Sequence, residues 1–405
     1  MRLKTSWWLP GVLAVGVLLS AGPAAAQIYT QRPPATPASP NPVYIHLAAG
    51  DGFVLMADGH LQYIFGFQEV PVTVPDADVM TFAELGAQFP APTLVMDEGT
   101  QVYLNLSNVG MPMRPDLFDA HSVHFHGFPQ AAPVFDGLPE SSVTIKMGAT
   151  FTYFYNLVEP GTYLYHCHVE ATEHMQMGML GNLYVRPRQD CDGTQPLAQR
   201  CGGGTGAPLG YAYNDGDGST RYDVEAALQV SGFDSIFHDA HIAVQPLPFA
   251  AMKDNYAMIN GRGYPDTIVP GTIPAPPSAD NGGKNWNTDP RGGPQPVTSR
   301  ITASAGQRIL LRLSNLSVQA LYTIQSPGIA MEVVGVNARL LKGPGGRSLY
   351  YKTHSVNLGG GESMDIILDT TGLAAGTYFL YTTNLNYLSN YNEDLGGAMT
   401  EIIIQ

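Results

Sequence analysis

The sequence predicts an all-β protein made of two tandem antiparallel β-sandwiches, and three observations support this fold class. The 45 glycines and 32 prolines interrupt the 405-residue chain every few positions, as in proteins of short strands and many turns. Hydrophobic residues make up 44% of the chain and no long helical repeat occurs. Two stretches of the first half recur in the same order in the second half, which indicates a duplicated domain.

The duplication rests on two pairs of similar segments. GTQVYLNLSN (99–108) corresponds to GQRILLRLSN (306–315), and GTYLY (161–165) corresponds to GTYFLY (376–381). Both copies also carry short runs of β-branched, aromatic and aliphatic residues between turns, which predict strands. These runs are FTYFYNL (151–157), NLYV (182–185), SMDIIL (363–368) and TEIII (400–404).

Shifts in composition divide the chain into five parts. We expect a signal peptide (1–26), a proline-rich lead-in (27–42), a first β-rich domain (43–187), a linker (188–209) and a second β-rich domain (210–405). Within the second domain, a Gly/Pro-rich insertion from Val269 to Ser299 is predicted to be a surface loop.

The first residues are typical of a secretory signal. Arg2 and Lys4 form a basic start, an apolar stretch follows, and three alanines at 24–26 offer a cleavage site. We therefore expect a periplasmic or secreted protein, with an uncleaved membrane anchor as the alternative. No later stretch reaches the ~20 apolar residues that a membrane helix needs.

The net charge of the chain argues against some classes of binding partner. The formal net charge of −14 argues against nucleic acid and anionic lipid as partners. It suits a basic redox partner, although solubility is the commoner reason for an acidic surface.

Cys191 and Cys201 are disulfide candidates in an oxidising compartment, which leaves Cys167 alone and in need of an explanation.

Six of the eleven histidines fall in two short segments. HSVHFHG begins at His121, and HCH begins at His166 and is followed by His174 and Met179. Successive side chains of a strand point to opposite faces. If the two segments form neighbouring strands, His121 and Cys167 meet on one face. Four of the remaining histidines meet on the opposite face: His124, His126, His166 and His168.

The first of these faces has the ligands of a mononuclear copper centre. His121, Cys167, His174 and Met179 supply two imidazoles, a thiolate and a weak thioether, the set of a blue-copper electron-transfer site. The soft sulfur ligands favour copper over zinc. Met177 is the alternative axial ligand.

These motifs resemble those of the superfamily of multicopper oxidases and copper nitrite reductases, and the resemblance extends over both domains. It implies two cupredoxin-like Greek-key domains with type 1 copper at the four residues above. It also implies a second copper site at His124, His126, His166 and His168, which match two His-X-His pairs of the oxidases' trinuclear cluster. In the nitrite reductases, the position of His124 is an Asp.

The resemblance further implies a copper-dependent oxidoreductase. Its type 1 copper would take electrons from a small molecule or redox protein and pass them to the second site, where a small oxidant such as oxygen is reduced. By analogy with two-domain members, the resemblance also implies a homo-oligomer, a trimer.

The sequence also departs from the family pattern. Six residues, rather than the oxidases' usual four, separate Cys167 from His174. The second domain has YTIQSPG (322–328) and YTTN (381–384) where the first has HSVHFHG and HCH, and a full trinuclear cluster needs eight histidines. The alternatives are therefore a blue-copper electron-transfer protein or, resting on methionines near the motifs, a copper-storage protein.

The remaining candidates are weaker. We expect five histidines to be surface or hydrogen-bonded residues: His46, His60, His238, His241 and His354. Four methionines near the motifs are expected to pack in the core: Met111, Met113, Met175 and Met177. Glu170 and Glu173 are expected to face solvent.

Overall fold

A computed structural model describes residues 42–190, 210–273 and 293–405 of the chain. The predicted signal peptide, most of the lead-in, most of the linker and both disulfide candidates, Cys191 and Cys201, lie outside these ranges. Within the described residues, no helix is long and apolar enough to cross a bilayer.

The first unit is a sandwich of two four-stranded sheets. One sheet has the order β2-β1-β4-β6 and the other β3-β8-β7-β5. The strands are β1 (Val43–Leu55), β2 (Leu61–Glu69), β3 (Ala91–Asp97), β4 (Gln101–Gly110), β5 (His124–His126), β6 (Thr150–Asn156), β7 (Gly161–His166) and β8 (Leu180–Arg186). Two short helices complete it, α1 (Val79–Ala83) and α2 (Ala171–Gln176).

The second unit repeats this plan with more strands. The larger sheet has the order β12-β11-β14-β20-β16-β17, with β18 beside β16, and the smaller has the order β13-β22-β21-β15-β19. The larger contains β11 (Val224–Phe233), β12 (Tyr256–Ile259), β14 (Arg308–Asn315), β16 (Met331–Val336), β17 (Arg339–Leu340), β18 (Tyr351–Thr353) and β20 (Ser363–Asp369). The smaller contains β13 (Ile301–Ala303), β15 (Tyr322–Gln325), β19 (Ser355–Leu358), β21 (Gly376–Thr382) and β22 (Met399–Ile404). A hairpin of β9 (Gly210–Tyr211) and β10 (Arg221–Tyr222) and a helix, α3 (Ser235–Ile242), are also present.

The predicted strands and duplication are confirmed, with one difference in strand direction. Both repeated segments form equivalent strands, β4 with β14 and β7 with β21. The sheets are mixed, because β1 pairs in parallel with β4 and β11 pairs in parallel with β14. The chain leaves the first sheet after β2 to form β3 in the other sheet, so β4 returns beside β1 in the same direction.

The prediction of a surface loop is wrong for its last residues. Residues 293–299 are largely buried, and Gln295 is 1% exposed. Its side chain exchanges two 3.0 Å hydrogen bonds with the backbone of Leu55 in the first unit. This segment is therefore part of the contact between the two units, which composition alone does not reveal.

A buried ion cluster fastens the second unit to the first. Arg312 on β14 is fully buried, and its Nε donates to Glu225 at 2.7 Å while Nη1 donates to Thr162 of β7 at 3.1 Å. Arg186 of β8 donates to the other oxygen of Glu225 at 2.9 Å. Burial alone would raise the pKa of Glu225, but the two guanidinium groups lower it to about 2.

Glu225→Gln is expected to lower the free energy of unfolding by about 3–5 kcal/mol, because it removes the buried charge that Arg186 and Arg312 share and leaves Arg312 only Asp365, at 3.4 Å. Urea unfolding at neutral pH measures this. Glu159→Gln, at the exposed pair of Glu159 with Arg339, is the matched control, with an expected loss below about 1 kcal/mol. Since the folded-state pKa of Glu225 is depressed, its contribution is present above its ordinary pKa of 4.5 and is lost as pH falls toward about 2. Equal losses in the two variants would contradict this role.

Candidate metal centre

The first cluster is assembled by the ends of two strands and a returning loop. His121 forms a β-bridge with Ile145, and Cys167 follows directly after β7. The loop then turns through α2, so that the Met179 amide donates to the His174 carbonyl at 2.9 Å and the Cys167 amide donates to the Met179 carbonyl at 3.1 Å. Met179 is thereby placed beside Cys167, while the Met177 carbonyl accepts from Phe65 of β2 at 2.9 Å.

Three side chains of this cluster converge in a fully buried space. Cys167 Sγ lies 3.3 Å from His174 Nδ1 and 3.9 Å from His121 Nδ1. Donor atoms ~2.0–2.3 Å from a common ion in a trigonal arrangement would lie roughly 3.5–4 Å apart. The buried thiol, two imidazoles and adjacent buried Met179 therefore fit copper by spacing and by softness.

The charge state of the two imidazoles differs. Burial and the neighbouring His174 lower the pKa of His121 well below its ordinary value. Burial alone would lower the pKa of His174, but the Cys167 sulfur and the Asp119 carboxylate raise it to about 10. A metal ion binding at Nδ1 of His174 must therefore displace a proton.

The second cluster lies on the opposite face of the same strands. β5 and β7 pair with His124 opposite His166, and ligand nitrogens of His124, His126 and His166 all lie within 4.8 Å of one another. His126 Nδ1 is 3.2 Å from His166 Nε2. His168 is outside this converging set, although its ring centre lies 5.2 Å from that of His124.

Backbone contacts orient two of these rings toward the shared space. His124 Nδ1 lies 2.6 Å from the Asp136 carbonyl, and His166 Nδ1 lies 2.8 Å from the Cys167 carbonyl. A carbonyl accepts, so each Nδ1 donates and each Nε2 has a lone pair to offer a metal, that of His166 facing His126 Nδ1 at 3.2 Å. Burial lowers the pKa of His166 to about 3, which keeps that ring neutral at physiological pH.

The second cluster borders the interface between the two units. A cavity of about 160 Å³ lies beside it, lined by His126, Gly127, Thr162, Tyr163, Leu164, Asn337, Gly361 and Ser363. A Cβ on Gly361 would lie only 2.8 Å from His126 Nε2, so the turn that carries this glycine (φ +86°) packs directly on the ring. In the described ranges, the second unit adds no His, Cys, Asp or Glu ligand to either converging set.

The second unit keeps the backbone of the first cluster but replaces its side chains. Gln325 pairs with Tyr381 as His124 pairs with His166. In that register Tyr322 stands at the position of His121 and Thr382 at that of Cys167. The Thr382 amide donates to the Ala398 carbonyl at 3.1 Å, as Cys167 does to Met179. The Tyr322 ring contacts the ring of Tyr387 at a separation of 5.1 Å.

The weaker candidates divide into two groups. His46 contacts Ser107 at 2.8 Å, His354 contacts the Ser326 carbonyl at 2.9 Å and His60 lies 3.5 Å from Asp239, as expected of ordinary histidines. The four methionines pack in or against hydrophobic clusters, as expected: Met111, Met113, Met175 and Met177.

The second group contacts the ligand loop, which the sequence did not reveal. His238 and His241 of α3 are buried and reach Gln176 and Glu173 respectively. The prediction that Glu173 faces solvent is therefore wrong, because its carboxylate pairs with His241 at 2.8 Å and its side chain is 14% exposed. Glu170 is exposed, as predicted.

Comparison with known proteins gives the same family for both units. Two family models, each described as multicopper oxidase, match residues 68–190 and 248–405. A multicopper oxidase of Talaromyces pinophilus is 35% identical over 118 residues, 29% of this chain and 18% of that protein. A laccase of Aspergillus fumigatus is 32% identical over 110 residues, 27% of this chain and 17% of that protein. The chain thus spans about a fifth of the length of the curated relatives it matches.

Solved structures support the fold over nearly the whole chain. A blue copper oxidase from Nitrosomonas europaea is 22% identical, with a TM-score of 0.62 over 90% of this chain and 86% of that one. A copper nitrite reductase from the same organism is 16% identical, with a TM-score of 0.56 over 90% of this chain and 94% of that one. At such identities the likeness shows the cupredoxin fold.

Proposed function

Because the chain belongs to the multicopper oxidase family, we propose that it is a copper-dependent oxidoreductase whose copper is held by the two clusters of the first unit. Copper at the first cluster would accept single electrons from a donor and deliver them to copper at the second, where a small oxidant such as oxygen is reduced. The observation that carries this proposal is the covalent adjacency of the clusters. Cys167 lies in the first, and its chain neighbour His166 lies in the second.

The first cluster would supply the type 1 ligands from a buried space. The donor atoms of His121, Cys167 and His174 lie within 4.8 Å of one another in a buried space, and the buried Met179 is tied to Cys167 through the backbone. A set of side chains that is already in place changes little when the metal changes oxidation state, which favours rapid electron transfer.

The side of the His174 ring that faces away from the Cys167 sulfur lies near two carboxylates, one of which is exposed to solvent. Its Nε2 lies 3.8 Å from Asp119 and 3.9 Å from Glu170, whose side chain is 63% exposed. We propose that an electron donor, a small molecule or a redox protein, approaches on this side of the ring. The acidic pair would favour donors that carry positive charge or offer hydrogen-bond donors.

Oxygen is favoured over nitrite as the oxidant by one residue. His124 stands where the resembled nitrite reductases have an Asp, and the structure turns its Nε2 toward His126 and His166. Three imidazoles around one space suit a copper ion, and His168, whose ring centre lies 5.2 Å from that of His124, is a nearby imidazole for a second ion.

The second candidate function is a blue-copper electron-transfer protein, in which only the first cluster is filled. The observation that favours it is the replacement of ligands in the second unit by Tyr322, Thr382 and Gln325. A copper-storage role has less support, because the methionines near the motifs are packed in the core.

Export and assembly are part of the proposal. The basic and apolar start of the chain supports a periplasmic or secreted protein, where copper would be loaded after export. A homo-oligomer, a trimer by analogy with two-domain members of the superfamily, would place further residues near the second cluster.

Oxygen uptake tests the proposed reaction. The copper-loaded full-length protein with a reducing phenol such as hydroquinone should consume oxygen, and the copper-free protein should not. Reduction of the first centre by the phenol without oxygen uptake would contradict the oxidase proposal and support the electron-transfer protein. Nitrite in place of oxygen under anaerobic conditions checks the other oxidant.

A further inference from the structure

Helix α3 of the second unit lies against the loop that carries the ligands of the first cluster. The helix is capped by Asp234, whose carboxylate accepts from the amides of Ile236 and Phe237 at 3.0 and 3.3 Å. Phe237 is fully buried in the hydrophobic core of the first unit, together with Cys167 and Met179. Two other buried side chains of α3, His238 and His241, contact the same loop.

His238 joins that loop to the sheet of the first unit. Its ring is fully buried, with Nε2 2.9 Å from the Gln176 carbonyl and Nδ1 2.6 Å from the Tyr63 carbonyl of β2. Gln176 lies between the ligands His174 and Met179. A neutral imidazole has one N–H and donates to only one of these two carbonyls at a time, and in either tautomer the ring lies between the ligand loop and β2 and sets their separation.

His241, one turn further along α3, holds the residue before His174. Arg114 Nη1 lies 2.9 Å from His241 Nδ1, and an arginine only donates, so Nδ1 accepts and the proton is on Nε2. That Nε2 donates to Glu173 at 2.8 Å. Asp116 holds Arg114 in place with two hydrogen bonds, at 2.8 and 2.7 Å.

An aromatic ring connects the two histidine positions. Phe65 of β2 contacts His174 edge to face at a ring separation of 5.7 Å and contacts His241 at 4.8 Å. A displacement of α3 would therefore reach the His174 ring by packing as well as through hydrogen bonds.

We infer that His238 and His241 are positioning residues that set the geometry, and through it the reduction potential, of the copper held by the first cluster. Among the described residues, the second unit contributes no ligand to either cluster, but its helix α3 braces the loop that carries the ligands of the first. This inference rests on the type 1 copper site proposed above. Groups that orient metal ligands commonly tune the metal they surround, although these two act on the loop backbone and on Glu173 rather than on a ligand ring.

Two substitutions of His238 separate its two contacts. In His238→Gln the amide nitrogen takes the place of Nε2 and keeps the contact with Gln176. In His238→Asn it takes the place of Nδ1 and keeps only the contact with Tyr63. We expect His238→Asn to shift the charge-transfer band and the reduction potential of the copper-loaded full-length protein, and His238→Gln to restore both to near wild-type values.

Amide hydrogen exchange of the metal-free protein gives a second, independent test. Amide hydrogen exchange in residues 171–179 should become faster on the order of tenfold in His238→Asn, the effect of losing about one net hydrogen bond. His354→Asn is the matched control, because His354 also contacts a backbone carbonyl of the second unit but lies away from the loop. It should change neither exchange in that segment nor the spectrum.

The contact with Glu173 is tested without changing α3, so a folding defect of the helix cannot obscure the answer. Glu173→Gln removes the charge but keeps an oxygen that accepts from His241, whereas Glu173→Ala removes both. A shift of the band and of the reduction potential in Glu173→Ala that is absent in Glu173→Gln supports the positioning role. Equal shifts in the two variants would assign the effect to charge alone and overturn that role. The positioning role would also be overturned if both His238→Asn and Glu173→Ala kept the wild-type absorption spectrum, reduction potential and amide hydrogen exchange. A colourless copper-loaded wild type would instead refute the proposed function.

Discussion

Cys167→Ser is expected to abolish the intense visible absorption of the copper-loaded protein. The absorption arises from charge transfer between a thiolate and cupric ion, and Cys167 is the one thiol whose sulfur lies among the imidazoles of the first cluster. Serine is of similar size and keeps the backbone hydrogen bond from residue 167 to Met179, so the fold should survive. Titration of copper into the protein, followed by absorption, measures the change.

Met177→Leu is the control for this substitution. Met177 is as buried as Met179, but its carbonyl is tied to Phe65 of β2 rather than to Cys167. The colour should persist in Met177→Leu with about one copper at the first cluster. Colour that survives in Cys167→Ser, or a copper-saturated wild type without colour, would remove the assignment of this cluster.

The double change of His124 and His126 to Ala is expected to remove oxygen uptake while leaving the colour. Both rings point to the face opposite Cys167, and His126 lies 3.2 Å from His166 in the second cluster. Their loss takes away two of the three converging nitrogens, so the copper of that site should be lost almost entirely. Elemental analysis and oxygen consumption measure the two effects.

His46→Ala with His354→Ala is the matched control for this double change. Both histidines have ordinary hydrogen bonds and lie outside the converging sets of the described residues. Copper content and oxygen uptake should remain at wild-type levels. Unchanged uptake in the variant without His124 and His126 would show that the second cluster is not the place where the oxidant reacts.

The sequence was sufficient to predict the two clusters because strand geometry is local. The alternation of side chains along HSVHFHG and HCH separates His121 and Cys167 from His124, His126 and His166, and the register of β5 and β7 follows it. The duplicated segments predicted equivalent strands for the same reason. The prediction that these residues bind copper remains to be tested by the measurements above.

Local sequence patterns could not predict the contacts that the second unit makes with the first. His238 and His241 looked like ordinary histidines, since nothing in FHDAH shows that α3 crosses to the ligand loop of the other unit. The burial of Gln295 likewise depends on packing against Leu55, 240 residues away in the chain. Such placements depend on how two sandwiches meet, which hydrophobic periodicity within one segment does not encode.

The copper content of the wild-type protein under saturating metal tests the central claim most directly. Two adjacent clusters in the first unit predict at least two tightly bound copper ions per chain, of which one gives the charge-transfer band and at least one does not. A single copper per chain, all of it contributing to that band, would contradict the account and leave an electron-transfer protein in its place.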